Sequence, residues 1–600
     1  MDQIATIDLV VFVGYLLAMV GFGIWIANKD KMESAQDYFL ASKALPWWAV
    51  GGSLIASNIS TEQILGMNGS GFELGLAIAS YELMAAATLL IVAKFFLPVY
   101  LKQGIYTMPQ FLEQRFSGTV RSIMSVFWVA LFVFVNITSV LYLGGLAIES
   151  LLKINLIYGI IGLVLYSASF SIFGGLKAVV WTDVVQVVVL IVGGLAAAFA
   201  VLTAVGDGGF FTGITELIKQ TPERFDMIFS PSDTYVDISA DDPAQATKSA
   251  YNLLPGISVL LGGMWIANLY YWGNNQYIIQ RALAAKDLKE AQKGVAFAAF
   301  LKVFMPIIVV LPGIAAFVLN ADIAKADQAF PWVLDNYVAD GLKGLTFAAL
   351  VAAIGSSISS MVNSASTIFT LDIYKKHLNP DANENRLVTV GRISAAAALV
   401  VGALIAPALG SLGQVFQYIQ EYTGFISPGV VAVFIFGMFW KRTTPKAALV
   451  TVIAAIPISI IFKVLATQEI LLLPFIDRMG ITFLLCCLLL IVVSLADIKE
   501  KTASVGDQAF RWGIILSLLV IGAATGIKIM VEDIPGVSNI IGVLTIVLAA
   551  IGCVLLLQER KADHEKSIDI DRSLFQTTTF FNVSSFAVVL ILAAIYVFLG

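Results

Sequence analysis

Glu82, Asp183, Lys302, Gln420 and Glu421 stand inside or at the mouth of long apolar stretches of this 600-residue chain. A charged side chain at bilayer depth costs about 2.5–3.5 kcal/mol on insertion scales, so such groups face a partner or a water-filled cavity. Glu82 and Lys302 carry opposite signs, and each lies on the helix that follows an interrupted one. Side by side they form a nearly neutral pair. Such a pair can simply cancel itself, or it can grip an uncharged polar solute through hydroxyls that both donate and accept. The interruptions are Asn58-Ile-Ser-Thr-Glu-Gln63 and Asn268-Leu-Tyr-Tyr-Trp-Gly-Asn-Asn-Gln276, at corresponding places in two halves of the chain. Non-helical backbone at membrane depth is tolerated where it lines a cavity, and a matched pair of breaks marks a solute site between repeats.

A second constellation is Ala353-Ile-Gly-Ser-Ser-Ile-Ser-Ser360. Ser356, Ser359 and Ser360 share one helical face. Small hydroxyl residues at this spacing also let helices pack closely. Beside a helix broken at Ala56 to Ile59, the hydroxyls and freed carbonyls would make an all-oxygen shell, suited to a hard cation such as sodium.

Long apolar helices must position these groups. Apolar residues make up 59% of the chain and charged ones 13%, against about 25% charged in a soluble domain. The apolar residues are blocked into about sixteen runs, each of a length to cross about 30 Å of hydrocarbon as a helix. The runs lie near 7–27, 47–68, 74–101, 120–150, 155–173, 179–205, 253–279, 295–319, 344–373, 389–409, 422–440, 446–466, 471–496, 510–531, 537–557 and 576–599. The first follows Asp2 rather than a basic segment and is expected to be a retained helix. The fold class is therefore an all-α integral membrane protein.

Basic residues alternate from loop to loop, which sets orientation because short cytoplasmic loops are rich in Lys and Arg. Lys29, Lys31 and Lys43, then Lys102, Arg115 and Arg121, then Arg281, Lys286, Lys289 and Lys293, then Lys375, Lys376, Arg386 and Arg392 mark one side. The 206–252 loop is acidic and marks the other. Both termini are expected outside. A net charge of −5 and an acidic outer loop argue against nucleic-acid partners. Cys486, Cys487 and Cys553 lie in apolar runs without metal-ligand spacing, and His377 and His564 stand alone. No nucleophile with a base in reach is visible, so no enzymatic role is expected. A solute sensor would need a soluble signalling domain, and 206–252 is too short to build one.

Several motifs together resemble the solute:sodium symporter family, and within it the bacterial sodium/glucose (galactose) cotransporters. They are Leu45-Pro-Trp-Trp-Ala-Val50, Asn58-Ile-Ser-Thr-Glu-Gln63, Gly66 to Gly71, Tyr81-Glu82, Phe173-Gly-Gly-Leu176, Trp181-Thr-Asp183, Asn268-Leu-Tyr-Tyr271, Gln276-Tyr-Ile-Ile-Gln-Arg281, Asn363 to Tyr374 and Gln417-Tyr-Ile-Gln-Glu-Tyr-Thr-Gly424. The resemblance covers residues 1 to about 497 and returns at the last run. It implies a LeuT-like five-plus-five inverted repeat with additional N- and C-terminal helices. The division would be an N-terminal helix in 1–30, a first repeat at 47–205, an outer acidic loop at 206–252, a second repeat at 253–440 and C-terminal helices in 441–600, with an extra pair near 510–557.

The resemblance also implies roles. Sugar contacts would fall on Gln63, Glu82, Asn268, Lys302 and Gln420; Tyr271 would stack on the ring and close the inward side; Met67, Tyr81 and Phe416 would form the outer gate. A shared sodium site would use carbonyls of Ala56, Ile59 and Ala353 with hydroxyls of Ser356 and Ser357. The expected activity is sodium-coupled sugar symport in a bacterial plasma membrane, with sodium, sugar and lipid as partners. Ala85 and Phe132 depart from the pattern of the sugar carriers by lacking a hydroxyl, which leaves glucose, galactose and an inositol open. A carrier of sialic acid or an amino acid is the other transporter reading, disfavoured by the neutral Glu82 and Lys302 pair. Ser359 suggests a second sodium held by Asp183, Ser356, Ser359 and Ser360, whereas Asp183 could instead pair with a loop base or cap its helix.

Overall fold

The computed structural model describes residues 5–29, 34–240, 246–411, 415–468, 473–497 and 564–599. Within them the regular structure is helical apart from one antiparallel ribbon, Thr234–Val236 paired with Thr247–Ser249, and an isolated parallel bridge between Leu45 and Ala285. In lipid every backbone polar group must be satisfied within its own segment, which is why apolar runs of this length become helices. Ten helices among the described residues are long and apolar enough to cross a membrane.

This is fewer than the sixteen runs, for reasons visible in the chain. The fifth and sixth runs form one 50-residue helix, Leu156–Val205, with a break at Gly175. The second and seventh runs are divided into short pieces, and the eleventh is the 13-residue helix Ser427–Phe439. The expected pair at 510–531 and 537–557 lies outside the described residues, as does Cys553.

α1, Thr6–Lys29, buries only a few residues and lies at the periphery. α2, Trp47–Asn58, is followed by extended backbone at Ile59 (φ −75°, ψ 104°). A π-helical turn at Glu62–Met67 and the helix Asn68–Leu74 complete that first broken segment. α3 is Ser80–Ile91, and α4 is the long Leu156–Val205. The second broken segment comprises α5, Gly263–Leu269, a π-helical turn at Tyr270–Asn274, extended Asn275 and α6, Gln276–Leu283. α7, Leu288–Phe304, packs on α2 and α3. α8, Leu342–Ile368, is buried along almost its whole length and packs chiefly against α4. α9, Val415–Thr423, and α10, Ser427–Phe439, then close one side of the core.

Close approach fixes two of these seams. Gly175 has φ +53°, and a Cβ there would sit 2.4 Å from the Tyr38 carbonyl oxygen, so only glycine fits the break in α4. Gly51 of α2 and Gly294 of α7 meet face to face, and a Cβ on Gly51 would lie 2.6 Å from the Gly294 oxygen. The chain entering α2 is also tied to the chain leaving α6. Leu45 N–H donates to the Ala284 carbonyl (3.2 Å), and Lys286 N–H donates to the Leu45 carbonyl (3.0 Å). The 206–252 segment holds the helix Phe210–Gln220 and the ribbon.

Candidate functional site

The first break occurs where the sequence put its polar interruption, and side chains explain its position. Ser60 turns its backbone N–H to Gln63 Oε1 (2.9 Å) rather than to Ala56, and its hydroxyl donates to the same oxygen (2.9 Å). Polar side chains that compete for backbone groups are what end helices locally. The second break falls at Asn275. Neither is simply a bend.

Both broken segments open onto one cavity of about 60 Å³, room for a few water molecules. Its lining includes Gln63, Glu82, Asn268, Lys302 and Gln420, so the five side chains expected to contact solute come together from five separate elements. Met67, Tyr81 and Tyr271 line it too, as does Ala85. The side chain of Phe416, the remaining gate residue, lies outside the described residues.

Glu82 and Lys302 are both buried, and Lys302 Nζ donates directly to Glu82 Oε2. The ammonium also stands 5.3 Å from the centroid of the Trp272 ring, a favourable cation–π distance. These are the charged groups among the described lining residues, and they cancel. At one end of the cavity Asn58 Nδ2 donates to the Tyr271 hydroxyl (2.9 Å), which accepts in turn from the Tyr277 hydroxyl. Asn58 Oδ1 is buried with no partner among the described residues. An unmet acceptor on a residue that lines a polar cavity is a place for a solute hydroxyl. Glu421, beside Gln420, is committed elsewhere, to Lys463 (2.7 Å) and Arg478 (2.8 Å).

α8 brings its serines against α2 just before the break. The Ser357 hydroxyl donates to the Ser57 carbonyl (3.0 Å). Ala56, Ile59, Ala353, Ser356 and Ser357 are all buried. The Ala56 carbonyl, passed over by Ser60, is the kind of free oxygen a sodium ion would take, and the neighbouring donors are oxygen throughout.

Asp183 of α4 is buried beside them. It accepts from Ser356 on one oxygen (2.6 Å) and from Ser53 (2.5 Å) and Ser57 (3.2 Å) on the other. The structure adds a residue here that the sequence placed elsewhere. Arg281 counts as a loop base by its position after the seventh run, but it is fully buried at the end of α6. Its guanidinium lies 3.7 Å from Asp183, donates to Ser53 (3.2 Å), and also donates to Ser360 and to the Tyr277 carbonyl. Ser359 Oγ is buried with no partner among the described residues. Asp183, Ser356 and Ser360 are thus brought together as expected, with an arginine among them. Asn58, Trp272 and Arg281 are the participants the sequence reading missed. Asn58 had a signal, since it opens the interruption; Trp272 and Arg281 had none beyond adjacency.

The sequence pattern of the sodium:solute symporter family matches residues 38–455. Among curated proteins, a sodium/glucose cotransporter of Vibrio parahaemolyticus is 49% identical over 528 residues, covering 84% of this chain and 94% of the relative. The sodium/myo-inositol cotransporter 2 of Homo sapiens is 35% identical over 483 residues, covering 76% and 70%. Among solved structures, a Na+-coupled sialic acid symporter in a substrate-bound outward-open state superposes with TM-score 0.69 at 24% identity, covering 82% of this chain and 98% of that one. That likeness is one of fold.

Proposed function

We propose, for a chain that belongs to the sodium:solute symporter family, that the solute carried is a neutral sugar of hexose type. The chain is a multi-pass membrane protein and a sodium-coupled symporter. The observation that carries the sugar reading is the convergence of Gln63, Glu82, Asn268, Lys302 and Gln420 on one buried cavity around an internally neutral ion pair. A sugar offers hydroxyls that donate and accept, so a carboxylate, an ammonium and amides are complementary to it, and its apolar C–H face is left for Tyr271. A cavity of about 60 Å³ is tight for a ring, so the sugar would part Glu82 from Lys302 and bond to each in place of the other.

The relative named for myo-inositol favours one second reading, a cyclic polyol. It shares the ring of hydroxyls, and Ala85 adds no hydroxyl of its own to the wall. An acidic sugar fits less well, because parting the pair would set its carboxylate against Glu82 as well as beside Lys302.

In this reading the chain is a LeuT-like five-plus-five inverted repeat, 47–205 and 253–440, in a bacterial plasma membrane with both termini outside. Met67, Tyr81 and Phe416 close the outer side of the cavity and Tyr271 the inner side. The coupling sodium binds carbonyls of Ala56, Ile59 and Ala353 and hydroxyls of Ser356 and Ser357. A second sodium would need Asp183, Ser356, Ser359 and Ser360, where Arg281 now donates. Sodium between α2 and α8 favours the outward-open form, and its loss to the low-sodium interior releases the sugar. Binding linkage makes each ligand raise the affinity of the other by one common factor. A sodium ion moving down about 100 mV and a tenfold gradient supplies about 3.7 kcal/mol for this.

The test is uptake into proteoliposomes of radiolabelled glucose, galactose, myo-inositol, sialic acid and a neutral amino acid, with and without an inward sodium gradient. Accumulation of a hexose only with the gradient is expected. Accumulation of sialic acid or the amino acid instead would overturn the assignment.

A further inference from the structure

On the helix Glu384–Ile405, Arg386, Val390, Ile393, Ala397 and Val401 recur at spacings of three and four and share one face. On the helix Gly118–Leu131, Ser122, Val126 and Ala130 do the same. Between the two run Ala365 of α8 and then Phe369 and Ile373 of the π-helical turn that follows it. The apolar members of these three strips line a groove of about 570 Å³ that shares no residue with the solute cavity. Its rims, Val126, Phe134 and Ile393, are exposed, so in a membrane-spanning protein it opens to lipid. Tyr374 and Ser394 are the polar side chains among the described lining residues, and the Ser394 hydroxyl already donates to the Gly391 carbonyl (3.0 Å). Along its length the groove offers packing and no hydrogen bonds.

The chemistry changes at one end. Arg386 Nε donates to the Tyr374 hydroxyl (3.3 Å), and one turn on, His377 shares a hydrogen bond with Ser122 (2.7 Å). Arg386 is exposed, and no carboxylate among the described residues pairs with it. The acidic groups nearby are committed: Glu113 to Arg121 and Lys376, Asp372 to Arg121, and Glu384 to the Ala35 N–H (2.7 Å). The mouth is thus a guanidinium and a hydroxyl with an imidazole beside them, a set that suits a phosphate.

We propose that the groove holds one acyl chain of an anionic phospholipid, with the lipid phosphate at Arg386 and Tyr374. Length supports a chain from a single leaflet, since Val390 to Val401 rises about 16 Å, half of a hydrocarbon core of about 30 Å. Charge sets the headgroup, because basic pockets between membrane helices attract anionic lipids. The proposal holds whichever solute is carried. Ala365 lies two turns beyond Ser357 on α8, so the chain would rest on the helix that carries the serines of the proposed sodium site.

The test is native mass spectrometry of delipidated, monodisperse protein titrated with phosphatidylglycerol and with phosphatidylethanolamine of the same acyl chains. Wild type is expected to retain one phosphatidylglycerol about fivefold more tightly than phosphatidylethanolamine. Arg386→Gln, at an exposed position, should erase that preference. Ala397→Trp, which fills the groove from its exposed side, should lose both lipids. Equal retention of the two lipids by wild type, or undiminished phosphatidylglycerol on either variant, would overturn the proposal. A wild-type dimer that Ala397→Trp splits would also overturn it, since the groove would then seat a second copy of the chain. If Ala397→Trp does not fold, a phosphatidylglycerol with a photoreactive acyl end decides on wild-type proteoliposomes. Cross-links at 126–134 and 390–401 in excess of a matched phosphatidylethanolamine probe are expected, and no excess would count against the site.

Discussion

Glu82 and Lys302 are buried against each other at the centre of the cavity, so neither can be removed alone without leaving the other uncompensated. Breaking a buried pair from one side costs about 3–5 kcal/mol, whereas removing both partners is far milder. Glu82→Gln and Lys302→Met are each expected to lower the melting temperature and abolish sugar uptake. The double variant should recover most of the melting temperature and none of the uptake; sugar uptake by the double variant would show that the pair only packs. Tyr271 holds Asn58 on one side and Tyr277 on the other. Tyr271→Phe should cost about 1–2 kcal/mol for the unmade bonds and raise sodium-independent sugar efflux, measured from preloaded vesicles. The residues legible in the sequence were those whose chemistry clashed with their surroundings, as with a glutamate and a lysine in apolar helices. Trp272 clashed with nothing and stayed hidden, while Asn58 showed only as the first residue of a polar interruption, with no role attached to it. Arg281 was misread because a basic residue just after an apolar run looks like a loop charge, and only the fold shows it turned inward to Asp183.

At the scale of elements, the apolar runs located the helices well, since a bilayer leaves long hydrophobic segments little else to be. Their joins were less legible. The 155–173 and 179–205 runs are one helix because Gly175 takes a positive φ and lets α4 redirect without leaving helical pairing on either side. The interruptions marked where helices break, but not the exact residues, Ile59 and Asn275; at the first, the break is set by a local competition in which the Ser60 N–H turns to the Gln63 side chain. Gly175→Ala sets both tests against itself: a left-handed backbone position, and a methyl 2.4 Å from the Tyr38 oxygen. Strain of that kind costs about 1–3 kcal/mol before the clash is counted. A clearly lowered melting temperature in detergent is expected, and an unchanged one would mean that α4 bends elsewhere.

For the molecule as a whole, the proposed sodium site puts coupling at the seam between α2 and α8, where Ser357 meets the Ser57 carbonyl. Ser357→Ala should raise half-saturating sodium by about tenfold, or about 1.4 kcal/mol, and binding linkage requires sugar affinity at fixed sodium to fall with it. Sugar affinity unchanged at subsaturating sodium would place the coupling ion elsewhere. Orientation can be checked on the same protein: Lys375→Cys should react with a membrane-impermeant thiol reagent only from the cytoplasmic side, and Asp233→Cys only from outside. The two broken segments also share a rivet. Leu45 is bonded to Ala284 and Lys286, and the glycine-to-glycine contact of α2 with α7 continues the join. That edge is stitched by backbone and filled without slack, whereas α2 meets α4 and α8 through hydroxyls, a carboxylate and a guanidinium that can exchange partners. The broken helices are thus joined by backbone and close glycine contacts on one flank and by exchangeable side-chain hydrogen bonds on the other, so the rocking expected of transport would slide along the hydroxyl-lined flank, past the proposed sodium site, with the other flank as its hinge.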